Sequence, residues 1–105
     1  MNIPSFEETY RITSEKHRTN VEKNVNNLRD MVAHRISACS VIGKFHCTLG
    51  FYNEEPQDEA FHEAVDIVGD ELTDMGYEVL FTHSGDEAND TFHCDEIRIS
   101  WYVEL

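Results

Sequence analysis

Residues 57–83 read QDEAFHEAVDIVGDELTDMGYEVLFTH, and the fold turns on how this stretch is read. Phe61, Val65, Val68, Leu72 and Met75 recur at steps of four and three, the spacing of one helical face. Gly76 follows directly, where a helix most readily stops. From Tyr77 to His83 the chain becomes rich in β-branched and aromatic residues, which predicts a strand. The expected elements are a helix over about 57–75 and a strand over 77–83.

Downstream, SGDEANDT is a loop rich in turn formers, and residues 92–103 contain a strand in which Ile97, Ile99, Trp101 and Val103 alternate. These last two strands are most simply a hairpin. Upstream, Asn53 to Asp58 form a turn containing Pro56. Before it, Phe45, Cys47, Leu49 and Phe51 alternate with His46, Thr48, Gly50 and Tyr52, as in a half-buried strand. Gly43 closes a helical region in which Val21, Val25, Leu28, Val32, Ile36 and Cys39 form one stripe. Ser5 and Glu8 make a capping box, and Phe6, Tyr10 and Ile12 follow at near-helical spacing. Residues 5–39 fit one long helix, or two joined near Thr19-Asn20.

The order helix, strand, helix, strand, strand predicts a two-layer α+β domain with a small three-stranded sheet. A chain of 105 residues with 40% hydrophobic content makes one domain, residues 1–105, with residues 1–17 as a more loosely attached helical segment. Three strands leave two edges, so a homo-oligomer formed through edges or helices is one expectation.

The charge is large and uneven. The net charge is -13. Residues 1–44 hold seven Lys/Arg against five Asp/Glu, whereas residues 45–97 hold fifteen Asp/Glu and no Lys or Arg. Glu59, Glu63, Asp66, Asp70 and Asp74 fall on the polar side of the second helix, with His62 at its edge. Such a face suits water or a basic protein surface. The first helix carries Arg11, Lys16, Arg18, Lys23, Arg29 and Arg35, interrupted by Glu15, Glu22 and Asp30, which is a poor footprint for a phosphate backbone. No direct nucleic-acid contact is expected. No apolar run approaches the ~20 residues of a membrane span, and the N-terminus carries no secretory pattern.

Phe-His-Cys occurs twice, at 45–47 and 92–94, and two His-Cys pairs can supply four zinc ligands. Strand parity argues against convergence. Cys47 shares its face with Leu49 and Phe51, while in the last strand the apolar face at 97, 99 and 101 extends back to His93 rather than Cys94. Only a bulge would change this. Glu59-x-x-His62 points away from the expected core, unlike the Glu-x-x-His pairs of di-iron bundles. The 84–91 loop lacks the closing Glu of an EF-hand. No metal and no cofactor are expected. Three cysteines, Cys39, Cys47 and Cys94, are an odd set that suggests reduced thiols. No phosphate loop, Gly-x-Ser-x-Gly or His-Glu-x-x-His motif is present, so no catalytic residue is assigned and a non-enzyme is expected.

The ending Leu72…Gly76-Tyr77-x-Val79…Ile97-x-Ile99-Ser100-Trp101 resembles that of small proteins encoded by tailed bacteriophages, over roughly residues 60–102. The resemblance implies a virion-associated or host-directed accessory protein, in the cytoplasm of an infected cell, and brings no catalytic residue. The expected function is binding of a host or viral protein through the acidic face, as a nucleic-acid mimic or inhibitor. The alternative is a self-associating structural or small-ligand module, with Tyr52, His83, His93, Trp101 and Tyr102 as its candidate pocket.

Overall fold

The computed structural model describes residues 2–52, 57–85 and 93–103. The elements are α1 (Phe6–Val41), β1 (His46–Gly50), α2 (Glu59–Asp74), β2 (Glu78–Ser84) and β3 (His93–Ser100). The three strands form one antiparallel sheet in the order β1-β3-β2, and β2 and β3 are adjacent as a hairpin requires. Both helices pack on one face of this sheet, so the architecture is a two-layer α+β domain.

Residues 6–41 form one helix rather than two. Ser5 accepts a hydrogen bond from the Glu8 backbone N–H at 3.1 Å, which satisfies one of the free donors of the first turn. Val21, Val25, Leu28 and Val32 are buried against the rest of the core, with Ile36 and Cys39 packed beside them. Asn20 therefore lies inside the helix and caps nothing. Gly43, at φ 82°, lets the chain leave α1 toward β1.

The start of α1 overruns the sheet, and the helix meets the beginning of α2 only from about Ile12 onward. Phe6, Tyr10 and Ile12 have the expected near-helical spacing but are exposed, Phe6 at 82%. Among the described residues no strand lies beneath Phe6 and Tyr10. The helix is about 54 Å long at ~1.5 Å per residue. The radius of gyration is accordingly 17.0 Å, above the roughly 13 Å of a compact chain of this length.

Asp58 caps α2, accepting from the Phe61 N–H at 2.9 Å. The helix buries Ala60, Ala64, Val65, Val68 and Leu72. Gly76 ends it at φ 100°, as the sequence predicts. Met75 does not complete the buried stripe. It is the C-cap, beyond the last full turn, and is 72% exposed.

Cys47 and Leu49 from β1, and Ile97 and Ile99 from β3, fill the inner face of the sheet. Phe45 was expected to join them but is 53% exposed, because it lies at the end of the sheet and packs edge-on against Tyr102. The parity of β3 also departs from simple alternation. Thr82 pairs with Glu96 but His83 pairs with Cys94, which leaves Asp95 as the extra residue of a bulge. The bulge resets the alternation, so Cys94 is buried and His93 is only half-buried, the reverse of the expected arrangement.

Candidate functional site: the acidic face of α2

Glu59, Glu63, Asp66, Asp70 and Asp74 are all exposed on α2. At ~100° per residue they fall within an arc of about 80°, and at ~1.5 Å per residue they span about 22 Å. Ala64, Val65, Val68 and Leu72 occupy the opposite side and hold the helix on the sheet. Burial of that side orients the carboxylates outward.

Among the described residues, an imidazole and a guanidinium from α1 meet the flank of this helix. His17 Nε2 lies 2.6 Å from Glu63 Oε2. Arg29 grips Glu71 with two nitrogens, Nε donating to Oε2 at 3.0 Å and an Nη to Oε1. The Arg29 hydrogen bond lowers the Glu71 pKa, and the same bond raises that of Arg29. Among the described residues, Glu59, Asp66, Asp70 and Asp74 have no ion pair. Glu71 escaped the sequence reading because it lies off the stripe. Its signal was the position of Arg29 on the first helix, which only the helix packing connects to it.

Glu59 lies in the first turn, where the helix dipole favours a carboxylate, but the rest of the stripe works against α2. Glu59 with Glu63, Asp66 with Asp70, and Asp70 with Asp74 are like-charge pairs four residues apart, each destabilising by roughly 0.2–0.5 kcal/mol. Asp70 and Asp74 also lie near the C-terminal, negative end of the helix dipole, where no basic residue balances them. His62, placed at the edge of the stripe by the sequence, is half-buried instead, with Nε2 3.0 Å from Gln57 Oε1.

The five residues of the alternative pocket are divided between the two ends of the sheet. Tyr52 donates to Glu96 at 3.1 Å, near the end that carries His83 and His93. Trp101 and Tyr102 lie beyond the other end of β3, where they line a cavity of about 520 Å³ with Ile36, Met75 and Tyr77. Among the described residues, the cavity lined by Trp101 and Tyr102 includes none of Tyr52, His83 and His93.

Two other clusters carry reactive side chains. Asp95 Oδ1 accepts from the Ser84 hydroxyl at 2.9 Å and lies 2.8 Å from His93 Nδ1. The carboxylate thus sits between serine and imidazole. A serine nucleophile needs the imidazole at its own oxygen, so this order does not activate Ser84. The cysteines are free thiols. Burial, then nearby Asp95 and Asp66, pushes the Cys94 thiol up to about 11, and burial chiefly raises that of Cys47. Both are held as unreactive thiols at neutral pH. Among the described residues no group of three or more His, Cys, Asp and Glu side chains could hold a metal ion, and the two Phe-His-Cys triplets do not converge on one. No described helix is long and apolar enough to cross a membrane.

No family model, curated protein or solved structure matches the chain.

Proposed function

We propose that this chain is a non-enzymatic binding protein that engages a basic surface of another protein through the α2 stripe. The observation that carries this reading is the exposed row Glu59, Asp66, Asp70 and Asp74, without an ion pair among the described residues, whose Asp70 and Asp74 sit at the end of the helix where its dipole disfavours them. A row of charge kept at a cost to its own helix suits a surface used in recognition. Carboxylates along about 22 Å of helix can stand where successive phosphates would stand, so a nucleic-acid-binding groove is a suitable receptor. Single exposed ion pairs contribute only about 0–1 kcal/mol. Binding therefore draws on several at once and weakens with salt. The likeness of residues 60–102 to tailed-phage proteins suggests an infected bacterial cell or a virion as the setting.

The test is capture of basic proteins from bacterial lysate at low salt, compared between the unmodified protein and the triple variant Glu63→Lys, Asp66→Lys, Asp70→Lys. Each captured protein is then challenged with duplex DNA as competitor. Capture should be salt-sensitive, displaced by DNA and lost in the variant, whose circular dichroism should be unchanged. Capture that survives the charge reversal sinks the acidic-face reading.

A further inference from the structure

Strand β2 lies at one edge of the sheet, with β3 as its only neighbour among the described residues. The backbone pattern fixes which of its groups face outward. The Phe51 N–H donates to Asp95 O at 2.7 Å, and the Trp101 N–H donates to Phe45 O at 2.8 Å. Hydrogen-bonded and non-hydrogen-bonded pairs alternate along an antiparallel ladder. The odd residues of β3 therefore turn their backbone groups toward β1, and Glu96, Arg98 and Ser100 turn theirs toward β2. Their partners there are Thr82, Leu80 and Glu78. Val79 and Phe81 consequently point their N–H and C=O groups out of the sheet, and among the described residues no further backbone bond meets them.

The side chains of β2 are also incompletely covered. Val79 and Phe81 on the inner face are only half-buried, whereas Cys47, Leu49, Ile97 and Ile99 on the other two strands are buried. On the outer face Leu80 is 55% exposed. Natural edges are usually protected by Lys, Pro, an inward charge or short length. This strand runs EVLFTHS over seven residues, with Glu78 at its start as its one Asp, Glu, Lys or Arg. The β1 edge differs, being five residues long with no exposed large hydrophobic side chain.

We propose that β2 pairs antiparallel with β2 of a second copy of this chain, about a two-fold axis at Leu80, joining two sheets into one. The register follows from the outward groups. Val79 and Phe81 of one copy exchange backbone bonds with Phe81 and Val79 of the other. Leu80 then faces Leu80 of the second copy in a non-hydrogen-bonded pair, where side chains approach most closely. The inner face gains two aromatic–β-branched pairs, a favourable cross-strand combination. Glu78 falls opposite Thr82, so no like charges are directly opposed. A second copy fits this edge because the strand is self-complementary in that register. Each chain carries a net charge of -13, so association strengthens as salt screens the repulsion. Capture by the α2 stripe has the opposite salt dependence, so the two readings fail independently.

The experiment is sedimentation equilibrium of the unmodified protein and of Leu80→Glu, over a range of concentrations at low and high salt. The expected result is a dimer favoured by high salt and weakened at least about tenfold by Leu80→Glu, which places like charges opposite each other. A second measurement fixes the register. In a Cys39→Ser background, oxidation should crosslink Leu80→Cys, because opposed residues in such a pair lie at ~4.5 Å between Cα atoms, within disulfide reach. Thr82→Cys should not crosslink, since the same residue on the two copies is then about 13 Å apart at ~3.3 Å per residue. A monomer at every concentration and salt overturns the proposal. So does a dimer that Leu80→Glu leaves intact, or one that crosslinks equally through both positions.

Discussion

The side chain of Gln57 binds the backbone of Cys94 as a neighbouring strand would. Its Nε2 donates to Cys94 O at 2.9 Å, and its Oε1 accepts from the Cys94 N–H at 2.7 Å. Cys94 is buried, and it lies just beyond the point where Phe51 makes the last β1-side bond to β3, at Asp95. A carboxamide carries one donor end and one acceptor end, so it can replace a peptide group at a site where the adjacent strand has ended. The bulge at Asp95 and the start of α2 are tied together through this one side chain.

Gln57→Ala should therefore destabilise the protein by about 2 kcal/mol, because a buried polar group left unpaired costs about 1–3 kcal/mol. Gln57→Glu should lie between the two, since it keeps the acceptor for the N–H but loses the donor for the carbonyl. Denaturant unfolding of the three proteins checks the order. A loss under about 0.5 kcal/mol for Gln57→Ala, the range of an ordinary surface substitution, would show that water replaces the carboxamide without cost.

Gly69 sets how closely α2 approaches β2. A Cβ at this position would lie 2.6 Å from Phe81 Cζ, inside contact distance. Alanine in place of glycine favours a helix by about 0.8–1.0 kcal/mol, while overpacking costs typically 1–3 kcal/mol. The clash should win, with Gly69→Ala destabilising by about 1 kcal/mol. In a Phe81→Leu background the ring is gone, and the same Gly69→Ala change should become stabilising through its helix propensity. Thermal unfolding of the four proteins in this double-mutant cycle reads that change of sign. The same sign in both backgrounds would mean that the ring moves aside freely.

The elements were legible in the sequence because their periodic residues do the packing. Val21 to Val32 and Val65 to Leu72 are buried as their spacing demands, and Gly76 stops α2 where a residue with positive φ is needed. What the sequence hid was where each apolar stripe runs out of partners. Phe6 and Tyr10 keep the helical spacing of Val21, but among the described residues no strand lies beneath them. Alternation in β3 broke at Asp95, because bulges depend on the pairing of two strands and leave little trace in either one. The acidic stripe was legible, since it needs only helical geometry. The Arg29–Glu71 and His17–Glu63 contacts were not, because they depend on how α1 lies against α2. Gln57 was read as the beginning of the helix, and only the bulged strand beside it reveals its second role.

The Cys94 thiol gives the protein a defined response to alkali. Its ordinary value of 9.0 is pushed up to about 11 by burial and by nearby carboxylates, so the folded state favours the neutral thiol. Between these two values the unfolded chain has released this proton and the folded chain has not. The unfolded state then binds fewer protons, and stability falls as pH rises. The contribution is intact below pH 9 and is lost progressively toward 11. Cys94→Ala removes it, while Tyr52, whose pKa is raised by its hydrogen bond to Glu96, remains in both proteins. Unfolding measured across this range should therefore show the unmodified protein losing stability faster than Cys94→Ala. At neutral pH a thiol reagent should label half-buried Cys39 first and reach Cys47 and Cys94 only on unfolding. Parallel alkaline curves for the two proteins, or early labelling of Cys94, would place that thiol in contact with solvent and contradict the inward turn that the Asp95 bulge gives it.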